Sequence, residues 1–119
     1  MNIKNKIGIF GQDLAKDFLQ QREYQILTEN YYTQAGEIDI ICQKDEQLVF
    51  IEVKTRTSQE FGIPEQAIDK NKKEKLHKTA LNYLQENKIS QENWRIDCIA
   101  IEINKDTKTA KIRHHKNIY

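Results

Sequence analysis

The sequence predicts an α/β domain in which a mixed β-sheet is flanked by α-helices. Three observations carry that expectation. Apolar residues recur every three to four positions near the N-terminus and again after Pro64, the period of an amphipathic helix. Between and beyond these segments lie runs rich in Ile, Val, Phe and Tyr, the residues that suit a pleated, half-buried surface. Their order (helix, three strands, helix, strand, strand) layers helices on a sheet. A chain of 119 residues has room for one domain, residues 1–119. With 38% hydrophobic and 31% charged residues, its layers must pack tightly to bury enough apolar surface.

Ile7, Phe10, Gly11, Leu14, Phe18 and Leu19 define the first helix, over residues 6–22. Glycine inside a helix costs ~1 kcal/mol relative to alanine, so Gly11 predicts a close neighbour. Residues 24–32 read as a first strand, and Gln34-Ala35-Gly36 as a turn. Two strands follow, at 38–42 and 48–53, joined by the polar hairpin loop 43–47. In the second of them Val49, Ile51 and Val53 face one way, and Leu48, Phe50, Glu52 and Lys54 the other. Pro64 suits the first turn of a second helix, whose apolar stripe is Leu76, Ala80, Tyr83 and Leu84. Residues 95–103 read as a strand buried on both faces, and 109–118 as a weaker edge strand.

The net charge of +1 points to no partner, but its distribution does. Residues 70–78 and 105–116 each hold five cations against one acid, +4 apiece, leaving −7 for the rest of the chain. That asymmetry suits a protein with one phosphate-facing side, although most lysine runs are simply solvated. Cys42 and Cys98 each sit within an apolar run and read as small buried hydrophobes rather than as a disulfide or metal pair. The N-terminus lacks the apolar core of a secretory signal, and no stretch nears the ~20 apolar residues of a membrane span. The expected location is the cytoplasm, with no membrane partner.

Burial logic singles out three residues. Asp39 lies between Ile38 and Ile40, and Glu52 and Lys54 share one face at the end of the most hydrophobic strand. Carboxylates in such runs are heavily desolvated unless they pair or bind a cation. Two acids on adjacent strands meet the needs of Mg²⁺, which keeps several waters and takes few protein carboxylates. A lysine on the same side has the chemistry to assist an attacking water and to stabilise charge on a phosphate. The bland alternative is a Glu52–Lys54 salt bridge with Asp39 capping a turn, which is the commoner origin of an isolated E-x-K. Gly-Glu-Ile-Asp at 36–39 followed by Glu-Val-Lys at 52–54 across a hairpin is much rarer than either half.

These residues resemble the YraN-type family of small bacterial proteins, within the PD-(D/E)xK, restriction-endonuclease-like superfamily. The matching positions are Gly36 to Ile41, Val49 to Arg56, Phe61-Gly62 with Pro64, and Ala67-Ile68-Asp69 followed by Lys72. Gly11 with Leu14-Ala15 and Arg95-Ile96-Asp97 complete a likeness spanning about residues 7–103. The resemblance implies a fold close to that of archaeal Holliday junction resolvases. It also implies Asp39 and Glu52 as ligands of Mg²⁺ (or Mn²⁺), Lys54 as the catalytic lysine, and DNA as partner. A homodimer follows by analogy with resolvases, which cut two strands symmetrically. The family pattern places a third acid after the Gly11 position. Here that residue is Gln12, which offers only a neutral carbonyl oxygen, and Asp13 is displaced about 100° around the helix.

Arg56, Lys72 and Lys73 are candidate phosphate contacts, with plain surface exposure the even alternative for Arg56 and Lys72. Lys72 flanks the apolar arc of the second helix, which favours a directed role. Glu37, two residues before Asp39 on the same strand face, is either an outer acid of the site or a solvated strand start. Asp97 is expected to pair with Arg95 or a backbone group. His77, His114 and His115 show no ligand spacing, and Trp94 is expected to pack. The leading function is a Mg²⁺-dependent DNA endonuclease, acting on branched or structured DNA. The alternative is a nucleic-acid-binding module that keeps the nuclease fold with little cleavage, and an adaptor using the edge strand near residue 112 ranks third.

Overall fold

The computed structural model describes residues 5–57, 64–90 and 92–119. Phe61 and Gly62 of the resemblance therefore lie outside the described residues. Helix α1 (Lys6–Gln21) begins at Asn5, whose side chain accepts a hydrogen bond from the Gly8 N–H at 2.7 Å and so satisfies one otherwise orphaned donor. Strands β1 (Gln25–Tyr32), β2 (Glu37–Lys44) and β3 (Gln47–Thr57) follow, then a short 3₁₀ helix (Pro64–Ala67) and α2 (Lys70–Glu86), and finally β4 (Trp94–Asn104) and β5 (Thr109–His115). The expected order of helices and strands is borne out.

The sheet runs β1-β2-β3-β4-β5, with β3 and β4 parallel and the other pairs antiparallel. A parallel pair needs a crossover rather than a hairpin, and the segment carrying α2 provides it. The helices pack on opposite faces. Ala15 and Leu19 of α1 join Ile40, Cys42, Val49, Ile51, Ile99 and Ile101 in one core. Leu76, Ala80 and Leu84 of α2 join Ile38, Ile41, Phe50 and Ile96 in the other. The predicted alternation along β3 is therefore the division between two cores, and β4 is buried on both faces as expected. Cys42 and Cys98 are buried free thiols.

Two boundaries differ from the sequence reading. The polar loop contracts to Asp45-Glu46, both with positive φ (50° and 66°), the backbone that matches the twist of a two-residue hairpin. Pro64 opens the separate 3₁₀ turn rather than α2. Helix α2 starts later because Asp69 caps it, accepting from the Lys72 N–H at 2.9 Å.

The close neighbour expected at Gly11 is Thr55. A Cβ at Gly11 would lie 1.9 Å from Thr55 Oγ1 and 2.9 Å from Thr55 Cβ, so no rotation of Thr55 alone makes room. We expect Gly11→Ala to lower stability by about 1–3 kcal/mol through overpacking, which outweighs the ~1 kcal/mol gained in helix propensity. Urea unfolding of the single variant and of Gly11→Ala/Thr55→Ala tests this. The double variant should recover part of the loss, and a stabilised single variant would refute the packing argument.

Candidate active site

The backbone ladder between β2 and β3 runs from Lys44–Gln47 to Ile40–Ile51. Continuing it would set Asp39 opposite Glu52. Instead the Asp39 carboxylate accepts the Val53 N–H at 2.8 Å, so the two strands part and a side chain takes over a backbone role. The point where the ladder ends, called the notch below, holds two carboxyl groups. Asp39 is 2% exposed and Glu52 5%.

The electrostatics of the notch follow from that burial. Desolvation first, and then the neighbouring Asp39 by charge and by hydrogen bonding, push the Glu52 carboxyl up to about 8. Lys72 and Lys54 pull in the opposite direction. The Lys72 ammonium lies 3.2 Å from Glu52 Oε2, yet that buried oxygen makes no hydrogen bond, so the pair is held by charge without directional bonding. Lys54 is half-buried on the Glu52 side of β3, beside Ala100 of β4. Asp39, Glu52 and Lys54 thus come together, and Lys72 joins them from the first turn of α2.

The other expected residues divide. Gln12 is buried in α1; its amide nitrogen donates to Glu29 Oε1 at 3.3 Å and its carbonyl oxygen is buried without a partner. Glu29, which sequence reasoning missed, also holds Lys16 at 3.2 Å. Arg56 is half-buried two residues beyond Lys54, beside Glu102 of β4. Glu37 is half-buried at the start of β2, opposite Tyr32. Lys73 points to a cavity of about 210 Å³ with Glu65, Ile68, Cys98, His115 and Ile118. That cavity adjoins the notch, because Cys98 is the β4 neighbour of Glu52.

A second cluster, also missed, ties the chain after β3 to the sheet edge. Glu65 accepts from the Arg113 guanidinium and lies 2.8 Å from His115 Nε2, and Arg113 also binds Glu102. The Arg113 hydrogen bonds hold the Glu65 carboxyl down at about 2. The remaining assignments are structural, as expected. Asp97 pairs with Arg95 at 2.9 Å and with His114 at 2.8 Å, and accepts the Asn117 N–H. The adjacent His114 and His115 do point to opposite faces, and Trp94 packs edge-on against Phe50.

Among the described residues no group of three or more His, Cys, Asp and Glu side chains gathers in the manner of a metal site. Mg²⁺ does not require one, since it is commonly held by one or two carboxylates with waters completing its shell. The residues present fit such a cation. Two buried carboxyls oppose each other's ionisation, and Glu52 Oε2 is left without a hydrogen bond. Among the described residues no helix is long and apolar enough to cross a membrane.

A mixed sheet between two helices, with a carboxylate pair and a lysine where a hairpin parts, defines a restriction-endonuclease-like α/β fold. The model of the uncharacterised protein family UPF0102 matches residues 11–101, and the chain belongs to that family. It is 38% identical over 117 residues to a UPF0102 protein of Alkaliphilus oremlandii (strain OhILAs), covering 98% of this chain and 100% of that one. A UPF0102 protein of Dictyoglomus thermophilum is 43% identical over 108 residues, 91% of each chain. One from Caldicellulosiruptor bescii is 39% identical over 122 residues and covers all of both.

Proposed function

We propose that this chain is a Mg²⁺-dependent DNA endonuclease, with Mn²⁺ an effective substitute, that hydrolyses phosphodiester bonds in branched or otherwise structured DNA. The observation that carries the reading is the notch itself, where two buried, mutually opposed carboxyls meet two lysines. Such an arrangement costs stability unless it serves a cation and an anionic substrate. Asp39 and Glu52 would hold the cation, with the Gln12 carbonyl oxygen available to it directly or through water. The cation would supply charge neutralisation at the phosphate and an acidified water. Asp39 is locked in place by the Val53 N–H, and Lys54 sits on a strand rather than a loop. Lys54 would orient the attacking water and stabilise the charge that builds on the phosphate oxygens. Arg56, Lys72 and Lys73 would bind flanking phosphates without reading sequence. A homodimer would place two such notches on two strands. The buried free thiols suit a reducing cytoplasm.

The test is a cleavage assay with Mg²⁺ or Mn²⁺ on linear, nicked, single-stranded and four-way DNA. Metal-dependent cutting with preference for the four-way substrate is expected, and absence of cutting on all four would sink the enzymatic reading.

Gln12 supports a second reading, a nucleic-acid-binding module with the nuclease fold and little cleavage, because it lacks the charge of an acid. Gln12→Glu separates the two. In an enzyme with a weakened site the added carboxylate tightens Mg²⁺ binding, since affinity for hard cations follows ligand charge, and cleavage rises. In a binding module cleavage stays undetectable and DNA affinity falls slightly at fixed salt. The substitution also sets a second acid beside Glu29, so thermal unfolding should be followed alongside.

A further inference from the structure

We propose that Lys72 is a two-position lysine, paired with Glu52 while the notch is empty and moving to a DNA phosphate when a divalent cation takes the carboxylates. Metal and DNA would then bind cooperatively through it. The inference rests on the metal-site reading above and adds to it a device that couples the two ligands.

The ion pair is built to be given up. The Lys72 ammonium is 3.2 Å from Glu52 Oε2, but the absence of a hydrogen bond to that oxygen leaves only charge to hold it there. A divalent cation held by the same carboxylate cancels that charge and repels the ammonium, with twice the force of a second monovalent cation at equal distance. Lys72 must then find another anion.

The root and the tip of the side chain differ in freedom. The Lys72 backbone N–H is fixed by the Asp69 carboxylate at 2.9 Å, at the capped end of α2. The side chain is 33% exposed, against 6% for Glu52, so the flexible Lys72 side chain borders solvent while its partner stays buried. The first turn of α2 is also where the partial positive charge of the helix favours a phosphate. Lys54, in contrast, is carried by β3 on the same face as Glu52. Lys73, the next residue, lines the adjoining cavity instead of the notch, which makes it the natural control.

The experiment measures DNA affinity by fluorescence anisotropy at fixed salt, with EDTA and then with Ca²⁺, a hard cation that occupies oxygen sites. The quantity read is the ratio of Kd in EDTA to Kd in Ca²⁺. In the wild-type protein this ratio is well above one. In Lys72→Met it falls by roughly fivefold or more, the low end of ordinary site–site coupling, and what remains is direct attraction between cation and phosphate. Lys73→Met weakens binding by the same factor in both conditions and leaves the ratio unchanged. Lys72→Arg keeps a cation on the helix and restores much of the ratio, which a general loss of folding in Lys72→Met would not allow. Reciprocity requires DNA to tighten Ca²⁺ binding, measured by calorimetry, by the factor seen in the anisotropy ratio.

A ratio that Lys72→Met leaves intact, while Ca²⁺ still binds in a manner lost in Asp39→Asn, overturns the two-position lysine and spares the metal site. A wild-type ratio of one does the same. Failure of both Ca²⁺ and Mn²⁺ to bind in an Asp39-dependent way overturns the metal-site reading itself.

Discussion

Replacing Lys54 with Ala is expected to lower the rate of DNA cleavage by about 10²–10³-fold, the usual consequence of removing a group that acts on charge developing in a transition state. The loss should fall on kcat, with KM little changed, because phosphates elsewhere on the substrate keep their other contacts. Two effects need separating. Lys54 also pulls the Glu52 carboxyl toward ionisation, so its removal raises Glu52 further and lets protons compete with the cation. Assays at saturating Mg²⁺ and at pH 8.5 suppress that indirect contribution and isolate the direct one. Lys54→Arg keeps the charge but widens the head group, and a partial rate is expected from it. Cleavage that survives Lys54→Ala at full strength, or that proceeds without added metal, would mean that another protein in the preparation does the cutting.

Much of this site was legible because burial and charge conflict. Asp39 between two isoleucines and Glu52 at the end of a hydrophobic strand are misfits in any plain core, and both lie at the notch. The helices and strands were legible for a related reason: their periods of 3.6 and 2 are written in Leu14, Leu19, Val49, Ile51 and their neighbours. What was not legible is long-range. No local pattern announces that β3 pairs in parallel with β4, because that pairing depends on a crossover of 36 residues between Thr57 and Trp94. The same holds for the ion pair between Lys72 and Glu52, 20 positions apart, and for Glu29 against Gln12. The linkage of Glu65 to Arg113 and His115 joins a 3₁₀ turn to the edge strand, and neither end carries a sequence signal. Pro64 was misassigned because proline suits the first turn of any helix, and only the Asp69 cap fixes where α2 begins.

Without metal, the protein is expected to lose stability as pH rises from about 4.5 toward 8, against the common rise of stability over that range. The cause is Glu52, whose carboxyl moves from an ordinary 4.5 up to about 8 in the fold, through burial first and the Asp39 charge second. Between those values the folded state binds more protons than the unfolded state, so unfolding free energy falls with increasing pH. The stability that the protonated form provides is fully present below about pH 4.5 and gone above about pH 8. At ~1.4 kcal/mol per unit the upper bound is a few kcal/mol, reduced to the extent that the notch admits water. Burial also lowers His77, which works in the opposite direction, but His77 is half-exposed and its contribution is correspondingly small. Glu52→Gln isolates the carboxyl, since the amide cannot titrate. Urea unfolding at pH 5 and pH 8.5 should therefore show a wild-type protein that weakens with pH and a Glu52→Gln variant that does not. Mg²⁺ should reverse the wild-type loss at pH 8.5, by about 2.7 kcal/mol at a hundred times its Kd, and help less at pH 6, where a proton holds the site. Glu52→Gln should forfeit most of that gain at both pH values. Equal pH dependence in the two proteins would place the raised carboxyl elsewhere and remove the electrostatic reason for a cation in the notch.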